Sequence, residues 1–314
     1  MSTPSRGSAL ASVSSLEGAS ELLASAHADG RRVRIDEELT AGLDRILEHE
    51  AGDLTCTVEA GIRMSTLNAA LALHGQRLSL DPPGDPSIGA LLATNVSGPL
   101  RHRFGAPRDL VLGVTLVLAD GTVASAGGKV VKNVAGYDLA RLVCGSRGRL
   151  ALIGRASFRL HPLPKTARTL VVERDDTPTA VADLSRSQLQ PSALDLLHPG
   201  RVAVLFEGSA RAVEAQLATA QGLVGGEVAE PEIWDEVRAR QGAARGRAHF
   251  DPGRLAELLR GLREAVVRPS AGIAFMPEER RHGVAEPHSP EAAALSWLQE
   301  RIRAAFDPKD VLAR

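Results

Sequence analysis

The chain has 314 residues, 44% of them hydrophobic and 24% charged, enough for two domains of ordinary size and unlike a disordered, collagen-like or disulfide-scaffold chain. Lys and Arg number 37 against 38 Asp and Glu, a net charge of −1, which leaves no basic field to gather nucleic acid or an anionic membrane. Two cysteines, Cys56 and Cys144, and an aromatic fraction of 3% point to reduced thiols in a cytoplasmic protein, a core of small aliphatic side chains, and no aromatic platform for single-stranded nucleic acid.

Ser, Ala and Gly alternate through Met1–Leu16 without an apolar h-region, which reads against a secretory signal. No stretch approaches the roughly 18–20 apolar residues of a membrane span. Leu16–Asp29 carries apolar residues at helical spacing and is followed by Gly30, a stop signal. Val33–Ile35 reads as a strand, and Leu39–Glu50 places Leu43, Ile46 and Leu47 on one face. Leu54–Glu59 alternates like a strand, and Ser65–His74 reads as a helix closed by Gly75. The prolines and glycine of Asp81–Pro86 forbid regular structure. Leu110–Leu118 and Thr122–Ala126 flank Asp120-Gly121 and predict a hairpin. Asp138 caps a short helix running through Cys144, with Gly145 as its stop. Leu150–Leu160 is a further strand and ends at Pro162-Leu163-Pro164, the best domain boundary.

Beyond that boundary the pattern predicts strands at Leu170–Glu173, Val202–Glu207, Val224–Val228 and Ala271–Met276. Helices are expected at Thr179–Gln188, Ser209–Gln221, Glu232–Arg247, Arg254–Val267 and Pro290–Phe306. This alternation suggests a compact α+β module.

Several chemistries are excluded by spacing. The chain has no P-loop, no Gly-x-Gly-x-x-Gly after a first strand, no Gly-x-Ser-x-Gly elbow, and no Cys-x-x-Cys or His-Glu-x-x-His metal motif. His282 and His288 around Pro287 read as solvated loop residues more readily than as a metal pair, and Cys144 as a structural thiol more readily than a reactive one. Arg101, Arg103 and Arg108 are able to take a carboxylate bidentately, although Arg101 and Arg103 read more readily as a solvated basic stretch. Glycines 89, 98, 105, 113, 127, 128, 136, 145 and 148 crowd one region. They suit either the turns of an irregular β-rich domain or a cradle whose backbone approaches a nucleotide.

The run Lys132-Asn133-Val134-Ala135-Gly136-Tyr137-Asp138-Leu139-Ala140-Arg141-Leu142-Val143-Cys144-Gly145-Ser146, with Arg108-Asp109-Leu110-Val111-Leu112-Gly113 upstream, resembles the FAD-binding E subunits of bacterial glycolate oxidase (glycolate dehydrogenase). These belong to the larger vanillyl-alcohol oxidase and p-cresol methylhydroxylase flavoprotein family. Thr57–Gly61, Gly75–Leu78, Pro82-Pro83, Ala93–Pro99, Leu160–Pro164 and Phe306-Asp307-Pro308 support the likeness. It implies an α+β fold: a two-subdomain FAD-binding domain of the p-cresol methylhydroxylase type in residues 1–164, a smaller α+β cap domain in 165–270, and a segment 271–314 returning to the FAD domain. It implies cofactor contacts from Pro83, Ser87, Ile88, Gly89, Thr94, Ser97 and Gly98 around the diphosphate and ribityl chain. Arg108 and Asp109, then Gly136, Tyr137, Asp138, Gly145 and Gly148 behind the flavin, and Ile153 through its backbone, complete the implied set. No catalytic residue and no metal ligand is assigned.

The chain departs from that pattern in three places. Val33-Arg34-Ile35 runs directly into Asp36-Glu37-Glu38 where the family has a glycine-rich phosphate loop, Ala151 stands for a glycine, and Asp310–Arg314 replaces an Asn-Pro-Gly closure. The shortened loop implies noncovalent and comparatively weak FAD binding. The function implied is an FAD-dependent oxidoreductase subunit that oxidises a small 2-hydroxy acid. Its partners would be a larger flavoprotein subunit and an iron–sulfur subunit, with the inner membrane reached only through them. The shortened loop also supports an alternative of another class, a non-catalytic assembly subunit that keeps the fold and binds FAD weakly or not at all.

Overall fold

The computed structural model describes residues 12–128, 138–279 and 290–313. Helix α1 (Leu16–Asp29) buries Leu16, Ala19, Leu23 and Ala26 along one face; Ser15 caps its start, and Gly30 ends it in the left-handed region. Strand β1 (Val33–Arg34) leads to a four-residue helix α2 (Glu37–Thr40). Strands β2 (Ile46–Glu50) and β3 (Thr55–Glu59), helix α3 (Met64–Ala72), β4 (Gln76–Arg77) and helices α4 (Ile88–Thr94), α5 (Arg101–Phe104) and α6 (Pro107–Leu110) follow. Then come the hairpin β5 (Val111–Val117) and β6 (Val123–Gly127), helix α7 (Leu139–Val143), β7 (Leu152–Arg159) and β8 (His161–Pro162).

These strands build an antiparallel five-stranded sheet in the order β2-β3-β7-β5-β6. Its core is aliphatic, as the composition requires, with Phe158 fully buried among Val58, Leu67, Leu91, Leu92 and Leu116. The stretch 39–50 differs from its single apolar face. The chain turns at Gly42, where a Cβ would lie 2.7 Å from the carbonyl of Val13, so the helix stops at Thr40 and residues 46–50 pair with β3 instead. Leu43 is fully buried while Leu47 is exposed.

A second sheet of seven strands begins just past the prolines at 162 and 164. It comprises β9 (Thr166–Glu173), β10 (Ala193–His198), β11 (Arg201–Gly208), β12 (Glu227–Ala229), β13 (Gly246–His249), β14 (Ala265–Arg268) and β15 (Ile273–Met276), in the order β12-β9-β11-β10-β14-β15-β13. Helices α8 (Thr177–Arg186), α9 (Ala210–Val224) and α11 (Leu255–Arg260) share one core with one face of it. Helix α10 (Ile233–Ala243) packs Trp234 and Val237 against the other face. The two long helices expected at 232–247 and 254–267 each stop early and finish as strands. Gly261 ends α11, and the β-branched pair Val266-Val267 sits well in a buried strand.

The segment after 270 first contributes β15 to this second sheet. Beyond it, α12 (Pro290–Phe306) leads to β16 (Leu312–Ala313), which pairs in parallel with β1, Val33 opposite Leu312. The Asp307 carboxylate fixes that return by accepting from the Val311 and Leu312 amides, each at 2.8 Å.

Candidate cofactor site

A cavity of about 270 Å³ opens where β1 meets α4 and the approach to β7. Ile35, Asp36, Glu37 and Thr40 form one wall; Gly89, Ala90, Ala93 and Thr94 of α4 form another; Arg147, Gly148, Ala151 and Ile153 close it. Ala151 and Ile153 give it a buried apolar floor. Gly148 has φ +74°, and a Cβ there would lie 3.0 Å from that of Ile35. Glycine thus permits both the left-handed turn and the close approach.

The first turn of α4 faces this wall, and its amides are engaged by the chain's own oxygens. Ser87 N–H donates to Glu37 Oε1 at 2.6 Å, Ile88 N–H to the Ile62 carbonyl at 2.9 Å, and Gly89 N–H to the Ala60 carbonyl at 2.6 Å. Ala90 N–H donates to Ser87 Oγ at 3.2 Å. Glu37 Oε2 also accepts from Arg63 at 3.2 Å. Of the three acids that replace the glycine-rich loop, Asp36 caps α2 through the Leu39 amide and Glu38 is exposed. Glu37 is the acid that hydrogen-bonds to the start of α4. Its role has no signal in the sequence, because the contact spans 50 residues.

Gly89, Thr94, Gly148 and Ile153 therefore converge on one cavity, with Ser87 and Ile88 at the turn beside it. The other expected residues lie apart. Pro83 packs beside Gly242 of α10. Gly98 packs so tightly on Asp81 that a Cβ would fall 1.7 Å from its carbonyl oxygen. Arg108 donates its amide to Asn95 Oδ1 at 3.2 Å, Asp109 accepts from the Ala106 amide at 2.8 Å, and Asp138 caps α7 by accepting from the Arg141 amide at 3.1 Å. Gly145, at φ +86°, donates to the Leu92 carbonyl at 2.9 Å. Gly136 and Tyr137, like His282 and His288, lie outside the described residues.

Ser97 stands at the joint between the two sheets. Its carbonyl accepts from Gln241 Nε2 at 2.8 Å and from Arg268 at 3.3 Å, and its hydroxyl from Arg101 at 3.2 Å. Arg268 is fully buried and forks onto the equally buried Asp195 at 2.9 and 2.6 Å. Nearby, burial pushes the Asp81 carboxyl up to about 7 against the pull of Arg268. Sequence reasoning missed Asp195 and Arg268; their signal is a charge set inside an otherwise apolar run. Burial pushes the thiols of Cys56 and Cys144 up to about 12, which makes both poor nucleophiles. Among the described residues no His, Cys, Asp and Glu group is arranged to hold a metal ion.

Set against FAD, the fit divides along the cavity. The apolar floor and the glycine approach suit a flat heterocycle, whereas the first-turn amides of α4 are already taken, one of them by a carboxylate.

Residues 13–127 match the family described as FAD binding domain. That segment, which holds α1 to β6, is thus an FAD-binding domain by its similarity to that family. Among curated proteins it is 32% identical over 201 residues to glycolate oxidase subunit GlcE of Escherichia coli (strain K12), covering 62% of this chain and 56% of that protein. It is 35% identical over 164 residues to glycolate oxidase subunit GlcD of Bacillus subtilis (strain 168), covering 49% and 34%. A D-lactate dehydrogenase of Archaeoglobus fulgidus is 32% identical over 183 residues, covering 56% and 41%. The chain thus matches at most 56% of the length of these three relatives. Among solved structures, an alkyldihydroxyacetonephosphate synthase superposes with a TM-score of 0.72 at 15% identity, over 96% of this chain and 74% of that one. That likeness extends the shared fold through the second sheet.

Proposed function

We propose that this chain is an FAD-dependent oxidoreductase subunit, similar to the glycolate oxidase E subunits, that takes part in oxidising a small 2-hydroxy acid. The observation that carries the reading is the cavity on Gly89, Thr94, Gly148 and Ile153, whose first two residues lie in the segment matched to an FAD-binding family. FAD, held noncovalently, supplies the two-electron acceptor. Residues 1–164 serve as its domain, 165–270 as the cap, and the end of the chain returns to the first domain. Pro83, Ser87, Ile88, Ser97, Gly98, Arg108, Asp109, Gly136, Tyr137, Asp138 and Gly145 belong to the same proposed contact set.

Two cysteines cannot ligate an iron–sulfur cluster of the four-cysteine kind, so electrons leave through a larger flavoprotein subunit and an iron–sulfur subunit. No helix among the described residues is long and apolar enough to cross a membrane; a cytoplasmic chain reaches the inner membrane through those partners. The engaged amides of α4 favour a second reading, a structural subunit that keeps the fold without tight flavin. The deciding experiment incubates the purified protein with FAD, removes free flavin and records the spectrum before and after anaerobic glycolate or D-lactate, with and without partner subunits. Bound flavin that bleaches supports the first reading. Absence of bound flavin at millimolar FAD leaves the second.

A further inference from the structure

The turn between α7 and β7 separates two cavities. Arg147, Gly148 and Ala151 line the cofactor cavity, whereas Ser146, Arg149 and Leu150 line a second cavity of about 450 Å³ against α12. The backbone turns over between them, with Arg147 and Gly148 both left-handed at φ +55° and +74°. The two cavities share no lining residue.

Three polar groups meet at the second cavity without protein partners among the described residues. The Ser146 hydroxyl oxygen is buried and makes no hydrogen bond. Buried hydroxyls are ordinarily paired, so one that the protein leaves unpaired calls for a partner from outside. Arg149 is half-buried, and its guanidinium enters neither an ion pair nor a hydrogen bond. Glu300 of α12 lines the same cavity and enters none either. The other charge of the lining, Arg303, is committed to Asp310. Leu150 and Ile302 supply aliphatic wall.

A cation and an anion that line one cavity without pairing favour a dipolar guest over a simple ion. A bare anion gains Arg149 but meets the like charge of Glu300, and a bare cation meets the reverse. A zwitterion satisfies both. Its carboxylate takes the planar fork of Arg149 and the Ser146 hydroxyl, and its ammonium takes the Glu300 carboxylate. We propose that this cavity binds a free α-amino acid with an aliphatic side chain, held by Arg149, Ser146 and Glu300. Its volume falls within the roughly 300–1,000 Å³ of small-ligand pockets.

The test is titration calorimetry of the full chain with L-leucine, compared with N-acetyl-L-leucine, which lacks the ammonium, and isoamylamine, which lacks the carboxylate. L-Leucine should bind at one site per chain, and each analogue at least tenfold more weakly. Arg149→Ala and Glu300→Gln should each weaken leucine at least tenfold, Ser146→Ala should weaken it less, and the distant control Arg211→Ala on α9 should match wild type. Glu300→Gln should also narrow the preference for leucine over its N-acetyl analogue, a change that mere structural damage would not produce. Wild type that does not bind leucine, or binds the N-acetyl analogue equally well, overturns the proposal. So do Arg149→Ala and Glu300→Gln variants that bind leucine as wild type does. The titration is repeated with saturating FAD: an unchanged leucine isotherm keeps the two cavities separate, whereas competition assigns this one to the cofactor and overturns the amino-acid site without touching the flavin reading.

Discussion

Glu37 sets how α4 meets an anion. Its carboxylate holds the Ser87 amide at 2.6 Å, and a charge-assisted bond of this kind is worth about 1.5–3 kcal/mol. An incoming diphosphate must displace it and then face its negative charge. Glu37→Gln keeps an acceptor but removes the charge, so FAD affinity should rise about tenfold, which corresponds to about 1.4 kcal/mol. Glu37→Ala should raise it further, and Glu38→Ala should leave it unchanged. Quenching of flavin fluorescence measures all three, and equal affinities would show that the carboxylate does not guard the site. The buried pair behaves in the opposite sense. Truncating Asp195 to Ala strands the fully buried Arg268 cation, which costs about 3–5 kcal/mol when one partner of such a pair is removed. Urea unfolding should show that loss, and a change below about 1 kcal/mol would mean that water or another oxygen already satisfies Arg268.

Elements were legible where a local signal and the tertiary partner agree. The bounds expected for α1 and α12 are those observed, because Gly30 and Asp307 mark the ends. The Asp120-Gly121 hairpin and the Asp138 cap follow from local chemistry alone. The second sheet was harder. β10 carries Asp195 inside an apolar run, and β14 holds Arg268 at its end; each charge is tolerated only because the other sits opposite, a fact absent from either segment. The glycines of the candidate site were legible for the same local reason, whereas Glu37 acts over a long sequence separation.

One short element carries a pH dependence. His161 on β8 packs 4.6 Å from the Phe104 ring. Burial, then Arg159, Arg77 and Arg103, lower its imidazole to about 4. The unfolded chain takes up that proton near pH 6.5 while the folded chain refuses it, so this contribution is present above 6.5 and is lost as pH falls towards 4. The slope reaches at most about 1.4 kcal/mol per pH unit. Urea unfolding between pH 7 and 4.5 should show His161→Phe losing less stability than wild type. Equal losses would place the acid sensitivity elsewhere.

At the scale of the whole molecule, the two sheets are tied by polar contacts as well as by chain connectivity. Arg77 of β4 forks onto Glu207 of β11 at 2.8 and 2.6 Å, with side chains only 15% and 9% exposed. Gln241 and Arg268 hold the Ser97 carbonyl, and His102 meets Ser270 at 2.9 Å. Each sheet has its own aliphatic core, so each half has the means to fold as a unit. Their mutual stabilisation then depends on these contacts. A bond to a charged group contributes about 1.5–3 kcal/mol, enough across the joint to make the halves melt together when their own stabilities differ by a similar amount. Wild type should therefore give one calorimetric transition. Arg77→Ala combined with Gln241→Ala removes the Arg77–Glu207 fork and the shortest bond to the Ser97 carbonyl while leaving both cores intact, and it should separate the melt into two transitions. Wild type that already melts in two steps, or a double variant that still melts in one, would show that coupling runs through some other contact between the halves.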